Sequence, residues 1–194
     1  MPLDAMQDVT DEALLVLFAN GEPAAARALT LRLTPKAFGH AARLLGNRAE
    51  AEDVAQEALL RLWRVAPEWR QGEAKVTTWL YRVVANLCKD RLRRSGRGMA
   101  LDAVPEPTDE APGPLDTMQD EARVDALQHA LDGLPDRQRQ AVVLRHIEGL
   151  ANPEIADVME ISVDAVESLT ARGKRALGAA LEGRREELGY ADDG

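Results

Sequence analysis

The sequence predicts an all-α protein made of two small helical domains joined by an acidic, proline-rich linker. Three observations lead there. Hydrophobic residues make up 45% of the 194 residues but aromatics only 4%, and Ala, Leu, Arg and Glu recur throughout, a balance that suits packed helices rather than a sandwich of aromatic and β-branched strands. Apolar residues recur at helical spacing in segment after segment. The run Asp102 to Asp116, DAVPEPTDEAPGPLD, places four prolines and a glycine, which prevent a helix, beside five carboxylates, which discourage burial. A chain of this length is either one ordinary domain or two small ones. The linker decides for two: a domain over 1–97, a linker over 98–117 and a second domain over 118–194.

The elements follow in order. Thr10 precedes a helical segment carrying Leu14, Leu15, Leu17 and Phe18, and Pro23 suits the first turn of a second segment that runs to about Leu33. Pro35 opens a third. Gly46-Asn47 breaks the pattern, and from about Ala49 to Arg64 the residues Ala51, Val54, Ala55, Ala58, Leu59 and Leu62 share one face, which is core. After the loop Pro67 to Lys75, Thr77 or Thr78 caps a helix that continues to about Arg94. Beyond the linker come a helix near Asp120 to Asp132, a break at Gly133-Leu134-Pro135, and a helix from about Asp136 to Glu148 ended by Gly149. Asn152 then caps a helix with Pro153-Glu154 in its first turn and Ile155, Ala156, Val158 and Met159 on its buried side. A short turn, Glu160-Ile161, leads to Ser162, the cap of a longer helix from Val163. This is helix-turn-helix spacing.

Charge and cysteine content narrow the function. The chain has 24 Lys+Arg against 33 Asp+Glu, a formal charge of −9, which as an average disfavours tight binding of duplex DNA by the chain alone. The distribution matters more, because Arg82, Lys89, Arg91, Arg93, Arg94 and Arg97 face only Asp90 and form a basic island in an acidic chain. The single cysteine, Cys88, rules out an internal disulfide framework, and Cys88, His40, His129 and His146 lack the paired spacing of a zinc site. No metal or other cofactor is expected. No Ser, Tyr or Cys is set near a base as a nucleophile would be, so a DNA-directed enzyme such as a recombinase is disfavoured. No signal peptide and no run of about 18 apolar residues is readable, so a soluble, cytoplasmic protein is expected without membrane insertion.

Three faces carry candidate binding residues. At 100° per residue along Val76 to Arg94, the side chains Val76, Leu80, Val83, Val84 and Leu87 point one way and Trp79, Arg82, Asn86, Lys89 and Arg93 roughly the other. An indole, an amide and three cations, with Arg94 beyond them, suit single-stranded nucleic acid through stacking and phosphate pairing, although a solvated helix face with a half-buried Trp fits the same pattern. On Ala49 to Arg64, Asp53, Gln56, Glu57, Leu60 and Arg64 lie opposite the core face with Trp63 at its edge, a leucine among charges as at protein interfaces. In the helix after Ser162, Val166, Thr170, Gly173 and Leu177 pack inward, leaving Asp164, Ala165, Glu167, Ser168, Ala171, Arg172 and Arg175 available to bases and phosphates of a major groove.

These residues together resemble the sigma-70 factors of the extracytoplasmic-function type, group IV. AEDVAQEALLRLWR, Ala51 to Arg64, resembles region 2.2, which in the family grips the β′ clamp helices of RNA polymerase core. VTTWLYRVVANLCKDRLRR, Val76 to Arg94, resembles regions 2.3 and 2.4, which melt and read the minus-ten element, and Leu134 to Leu177 resembles region 4, whose helix-turn-helix reads the minus-thirty-five element. The resemblance implies core polymerase, including its β flap, and promoter DNA as partners, with an anti-sigma factor beside them. It also accounts for the net acidity, since such factors recognise promoters as part of the holoenzyme. Glu160 stands where relatives often have Gly, and Glu167 and Leu169 where they are often basic, which leaves the minus-thirty-five sequence open. The alternative is a sigma mimic that occupies an anti-sigma factor without binding promoters. The cations between Arg82 and Arg97 argue against it, because a decoy has no use for them.

Overall fold

The computed structural model describes residues 6–70, 72, 74–96 and 115–182, with backbone alone for 115–120. The predicted linker falls outside these residues up to 114. Eight α-helices account for most of the described chain: α1 Asp11–Ala19, α2 Pro23–Leu45, α3 Arg48–Val65 and α4 Val76–Arg94 in the first domain, then α5 Leu115–Asp132, α6 Asp136–Val142, α7 Asn152–Met159 and α8 Val163–Glu182 in the second.

Local signals set most of the ends. Thr10 Oγ1 accepts the Ala13 N–H at 3.3 Å and opens α1. Glu22 Oε1 accepts the Ala24 N–H ahead of α2, with Pro23 at its first turn. The second helix then departs from expectation. Pro35 lies inside α2 instead of opening a new helix. A proline in a helix interior costs about 3 kcal/mol, but Ala25, Ala28, Leu29, Leu33, Ala37, Ala41 and Leu44 form one buried stripe across it, and each buried leucine contributes roughly 1.5–3 kcal/mol. The stripe wins. Gly46, at a φ of +62°, ends α2, and Asn47 Oδ1 accepts the Glu50 N–H at 2.9 Å to begin α3.

Neither Thr77 nor Thr78 caps α4. The helix starts at Val76, whose N–H donates to Glu12 Oε1 of α1 at 2.8 Å. A carboxylate distant in sequence supplies both the acceptor and the negative charge that a helix start favours. Around these four helices Leu14, Leu15, Leu29, Leu33, Val54, Leu62, Leu80 and Val84 close a single core, with Phe18 tilted against Trp63 at 4.8 Å between ring centres. All six predicted core residues of α3 are buried.

In the second domain α6 does not run on as an α-helix to Glu148. It widens at Val143–Ile147 into a π-helical turn, after which Gly149, at a φ of +73°, reverses the chain. Asn152 is the first residue of α7 rather than its cap, and Glu154 Oε2 takes the Ala151 N–H at 2.9 Å instead. Glu160 adopts a left-handed φ of +55° in the turn before α8, a conformation that favours glycine, and Ser162 Oγ accepts the Ala165 N–H at 3.2 Å. Of the four α8 residues expected inward, Val166 and Gly173 are buried, and Thr170 and Leu177 half-buried.

Gly173 is where α8 crosses α6 most closely: a Cβ there would stand 2.5 Å from Val142 Cγ2 and 3.1 Å from the Gln138 carbonyl oxygen. Gly173→Ala is therefore expected to destabilise the second domain by roughly 1–3 kcal/mol, the usual cost of overpacking, although alanine is the better helix former. A urea unfolding series read against Gly178→Ala, at a site with open space, checks this. Equal midpoints would remove the close-crossing account.

Candidate nucleic-acid interface

The α3 and α4 helices lie side by side and enclose a shallow groove lined by Asp53, Gln56, Glu57, Leu60 and Arg61 of α3 and by Leu87, Asp90, Arg91 and Arg94 of α4. Leu60 is 49% exposed in it. Asp53 pairs with Arg91 at 3.6 Å and Glu57 with Arg61 at 2.9 Å, so the apolar centre carries a charged rim. Arg94 belongs to this groove as well as to the basic end of α4. Trp63 does not, since its ring is half-buried against Phe18, and Arg64 is exposed outside the lining.

Along α4 the outward residues divide. Asn86, Lys89 and Arg93 are exposed, with Arg93 donating to Asp90 at 3.2 Å. Trp79 does not stand free beside them. It is half-buried, edge-on to Trp69 at 6.2 Å and 85°, because the chain leaving α3 folds Trp69 back over the start of α4. Arg82 is also half-buried, and both its Nε and Nη2 donate to the Asp157 carbonyl oxygen of α7, at 3.1 and 2.8 Å.

The second domain thus sits on α4. Tyr81 joins the cluster of Leu144, Ile155, Val158 and Val166, and its hydroxyl donates to Glu148 Oε2 at 2.7 Å. Burial first, and then this hydrogen bond to a carboxylate, hold the phenol far above its ordinary pKa. Lys75 and Glu154 form an ion pair at 2.5 Å, which draws the Glu154 carboxyl below its usual range and raises Lys75. At the far end of the seam, Gln128 Nε2 donates to the Arg43 carbonyl and Arg139 Nη1 to the Leu44 carbonyl, at 3.3 and 2.6 Å.

On α8, Asp164, Glu167, Ser168, Ala171, Arg172 and Arg175 are exposed and Ala165 half-buried, all clear of the core. Arg172 Nη2 donates to Ser168 Oγ at 2.6 Å, which aligns the guanidinium with the outer face. Glu167 Oε1 accepts from Asn152 Nδ2 at 3.4 Å and so ties α8 to the start of α7. Among the described residues no group of three His, Cys, Asp or Glu is placed to hold a metal ion, and no helix is long and apolar enough to cross a membrane.

Two family models match in the order expected: Sigma-70 region 2 over residues 29–98 and Sigma-70, region 4 over residues 125–177. The chain is 35% identical over 145 residues to the ECF RNA polymerase sigma factor SigW of Bacillus subtilis, covering 70% of this chain and 77% of that protein. With the RNA polymerase sigma-H factor of Pseudomonas aeruginosa it shares 32% identity over 184 residues, 89% of this chain and 94% of the other. The chain belongs to the ECF sigma-70 family. Sigma factors of this kind are initiation factors, not enzymes. To the SigE factor of Mycolicibacterium smegmatis the sigma factor described here is 38% identical over 139 residues, 70% of its own length but only 53% of that relative's. Among solved structures it is similar to CnrH in complex with the cytosolic domain of CnrY, with a TM-score of 0.65, 27% identity and coverage of 89% and 97% of the two chains. It shares its fold with the sigma factor RpoE in complex with the anti-sigma factor NepR from Bartonella quintana, with a TM-score of 0.63, 20% identity and coverage of 80% and 96%.

Sequence reasoning identified the exposed outer face of α3, the exposed part of α4 and the outer face of α8 in this sigma factor, but not the groove that α3 forms with Leu87, Asp90 and Arg91 of α4. It missed Tyr81, Glu148, Arg139 and His40, all of which meet at the seam. A buried arginine carries no local signal, since the string RQRQ reads equally well as a solvated turn. His40 is fully buried, 3.8 Å from Glu148 Oε1 through Nδ1 and edge-on to Tyr81 at 5.0 Å, with neither ring nitrogen hydrogen-bonded. Burial pushes its pKa down from 6.5 to about 3.

A depressed histidine has a definite sign in linkage: between about pH 3 and 6.5 the unfolded chain binds a proton that the folded one refuses, so stability falls as pH drops through that window. Between about pH 7.5 and 5 the histidine should remove about 2 kcal/mol, at 1.36 kcal/mol per pKa unit. His40→Phe, which keeps a buried ring, is expected to lose that much less over the same range in urea titrations. Parallel acid profiles for the two proteins would contradict the assignment.

Proposed function

We propose that this chain binds core RNA polymerase through the α3–α4 groove, centred on Leu60 with Asp53, Gln56 and Glu57 around it and Trp63 and Arg64 flanking. In the same reading Asn86, Lys89 and Arg93, with Arg82, Arg94 and the open side of Trp79, hold the displaced strand of the minus-ten element. Asp164, Ala165, Glu167, Ser168, Ala171, Arg172 and Arg175 of α8 face the minus-thirty-five element. The domains are taken as 1–97 and 118–194 with 98–117 between them, and the chain as acting in the cytoplasm.

One observation carries this reading. The α3–α4 pair exposes an apolar-centred, ion-rimmed groove on one side and a cationic stripe on the other, which suits a helix that must hold a protein partner and a nucleic-acid strand at once. An anti-sigma partner is supported by the likeness to CnrH, whose structure was solved with the cytosolic domain of a second protein.

Replacing Asp53, Gln56, Glu57 and Leu60 together by alanine should weaken core binding by at least tenfold, since central interface positions commonly cost more than 1 kcal/mol each, while far-UV helicity stays native. Undiminished affinity in a core pull-down titration would remove the groove from the interface.

Arg172→Ala and Arg175→Ala should each reduce transcription from promoters that depend on the upstream element, by a factor consistent with about 1–3 kcal/mol for a lost guanine or phosphate contact. Run-off transcription on paired templates with and without that element makes the comparison. An equal loss on both templates would count against base or phosphate contact by α8.

A further inference from the structure

The outer face of α8 is divided by charge. Its first two turns, Val163 to Thr170, contain Asp164 and Glu167 and no cation, and the basic residues Arg172, Lys174 and Arg175 all follow. Asp164 has a local reason to be acidic, since the start of a helix carries partial positive charge. Glu167 has none. One turn away on either side stand Val163, Asp164, Thr170 and Ala171, so along the helix no cation is within reach of its carboxylate and the nearest charge is a like one, an arrangement that destabilises a helix slightly. A carboxylate on a face turned to DNA also weakens the attraction to phosphate.

The side chain is nevertheless held in place. Glu167 is exposed, yet its Oε1 accepts from Nδ2 of Asn152, the half-buried first residue of α7, at 3.4 Å. Oε2 has no partner among the described residues. A flexible side chain is thus oriented from the neighbouring helix with one acceptor oxygen left open. In the major groove the donors on base edges are the amino groups of cytosine and adenine. Adenine sets its amino group beside the N7 acceptor, which repels a carboxylate, and cytosine does not.

We infer that Glu167 is a specificity-determining residue: its Oε2 accepts a hydrogen bond from the N4 amino group of one cytosine in the minus-thirty-five element, and Asn152 is the positioning residue that aims it. This rests on the assignment of α8 to that element. Glu167 adds selection where Arg172 and Arg175 add attraction, because a carboxylate brought against a base edge without an amino donor is desolvated with nothing to bond. Arg172 stands more than a turn further along α8, so the cytosine occupies a different base pair from the one that Arg172 meets.

The test uses the holoenzyme formed by the full chain and core polymerase, on a promoter recovered by run-off transcription of genomic fragments. Each position of the upstream element is replaced in turn by every other base, and transcription is compared for parent, E167A, E167Q and N152A. Parent is expected to require cytosine at one position, with about a tenfold loss for any other base there. E167A should level the four bases at that position and leave the preferences at the other positions as they were. E167Q should move the preference toward adenine, whose N6 and N7 a glutamine amide matches. N152A should blunt the cytosine preference alone, which a merely structural role would not do; a preference undiminished in N152A removes Asn152 from the pair. A parent with no cytosine-dependent position, or an E167A that changes transcription by one factor on all four bases, overturns the inference. R172A/R175A on the same templates separates it from the reading beneath it. If that variant keeps its full dependence on the upstream element, α8 does not read the element and the role of Glu167 falls with that assignment. If it loses the dependence while E167A preserves every base preference, α8 keeps its role and the assignment to Glu167 alone is lost.

Discussion

Arg139 is the side chain on which the arrangement of the two domains turns. Its guanidinium is buried and hydrogen-bonds to no carboxylate, but donates to the carbonyls of Leu131, Asp132 and Leu134 at the end of α5 and to that of Leu44 at the end of α2, at 2.6 to 3.2 Å. Helix C-termini carry unsatisfied carbonyls and partial negative charge, so two of them converging on one cation satisfy both ends and the cation together. Asp136 stands 3.7 Å away and adds a distant countercharge. Three of the four acceptors lie within the second domain. Arg139 therefore organises the α5–α6 turn whether or not the first domain is present, and the Leu44 carbonyl docks onto a donor that is already in place.

From that anchor the seam runs to α4 and changes in kind. Around Arg139 it is backbone capping, at Tyr81 and His40 it is an aromatic cluster closed by Glu148, and at Arg82 and Lys75 it is charge against α7. The outer contacts are the weaker ones, since an exposed ion pair such as Lys75 with Glu154 contributes little once screened. A joint that is firm at one end and polar at the other opens most readily at the polar end. That end is where the cationic stripe begins.

Whole-chain charge and local charge act at different ranges. A net charge of −9 disfavours the approach of DNA, a repulsion that salt screens beyond roughly 10 Å at ordinary ionic strength, whereas in the proposed function Asn86, Lys89 and Arg93 act by direct contact on a strand already delivered to them. Polymerase can make that delivery if the groove around Leu60 is occupied first. Glu167 is bonded to Asn152 within the helix-turn-helix, and in the proposed function the exposed cations Arg172 and Arg175 supply attraction to DNA on α8.

Much was decided by the sequence itself. The helical class, the core face of α3, the inward residues of α8, and the caps at Thr10 and Ser162 all follow from periodicity and from oxygen-bearing side chains three residues before the N–H they accept. These are short-range effects, and a linear string contains both partners. The family motifs likewise lie in contiguous runs. What the sequence could not contain was any term joining distant segments. Pro35 stays inside α2 because the burial of a long stripe outweighs one lost hydrogen bond, and α4 begins at Val76 because Glu12, on α1, receives that N–H. Trp79 is drawn back by Trp69, and Arg82 is taken by a carbonyl 75 residues away. Helical periodicity gives a side chain's direction about its own axis, and only packing determines whether solvent, a neighbouring ring or a second domain lies in that direction.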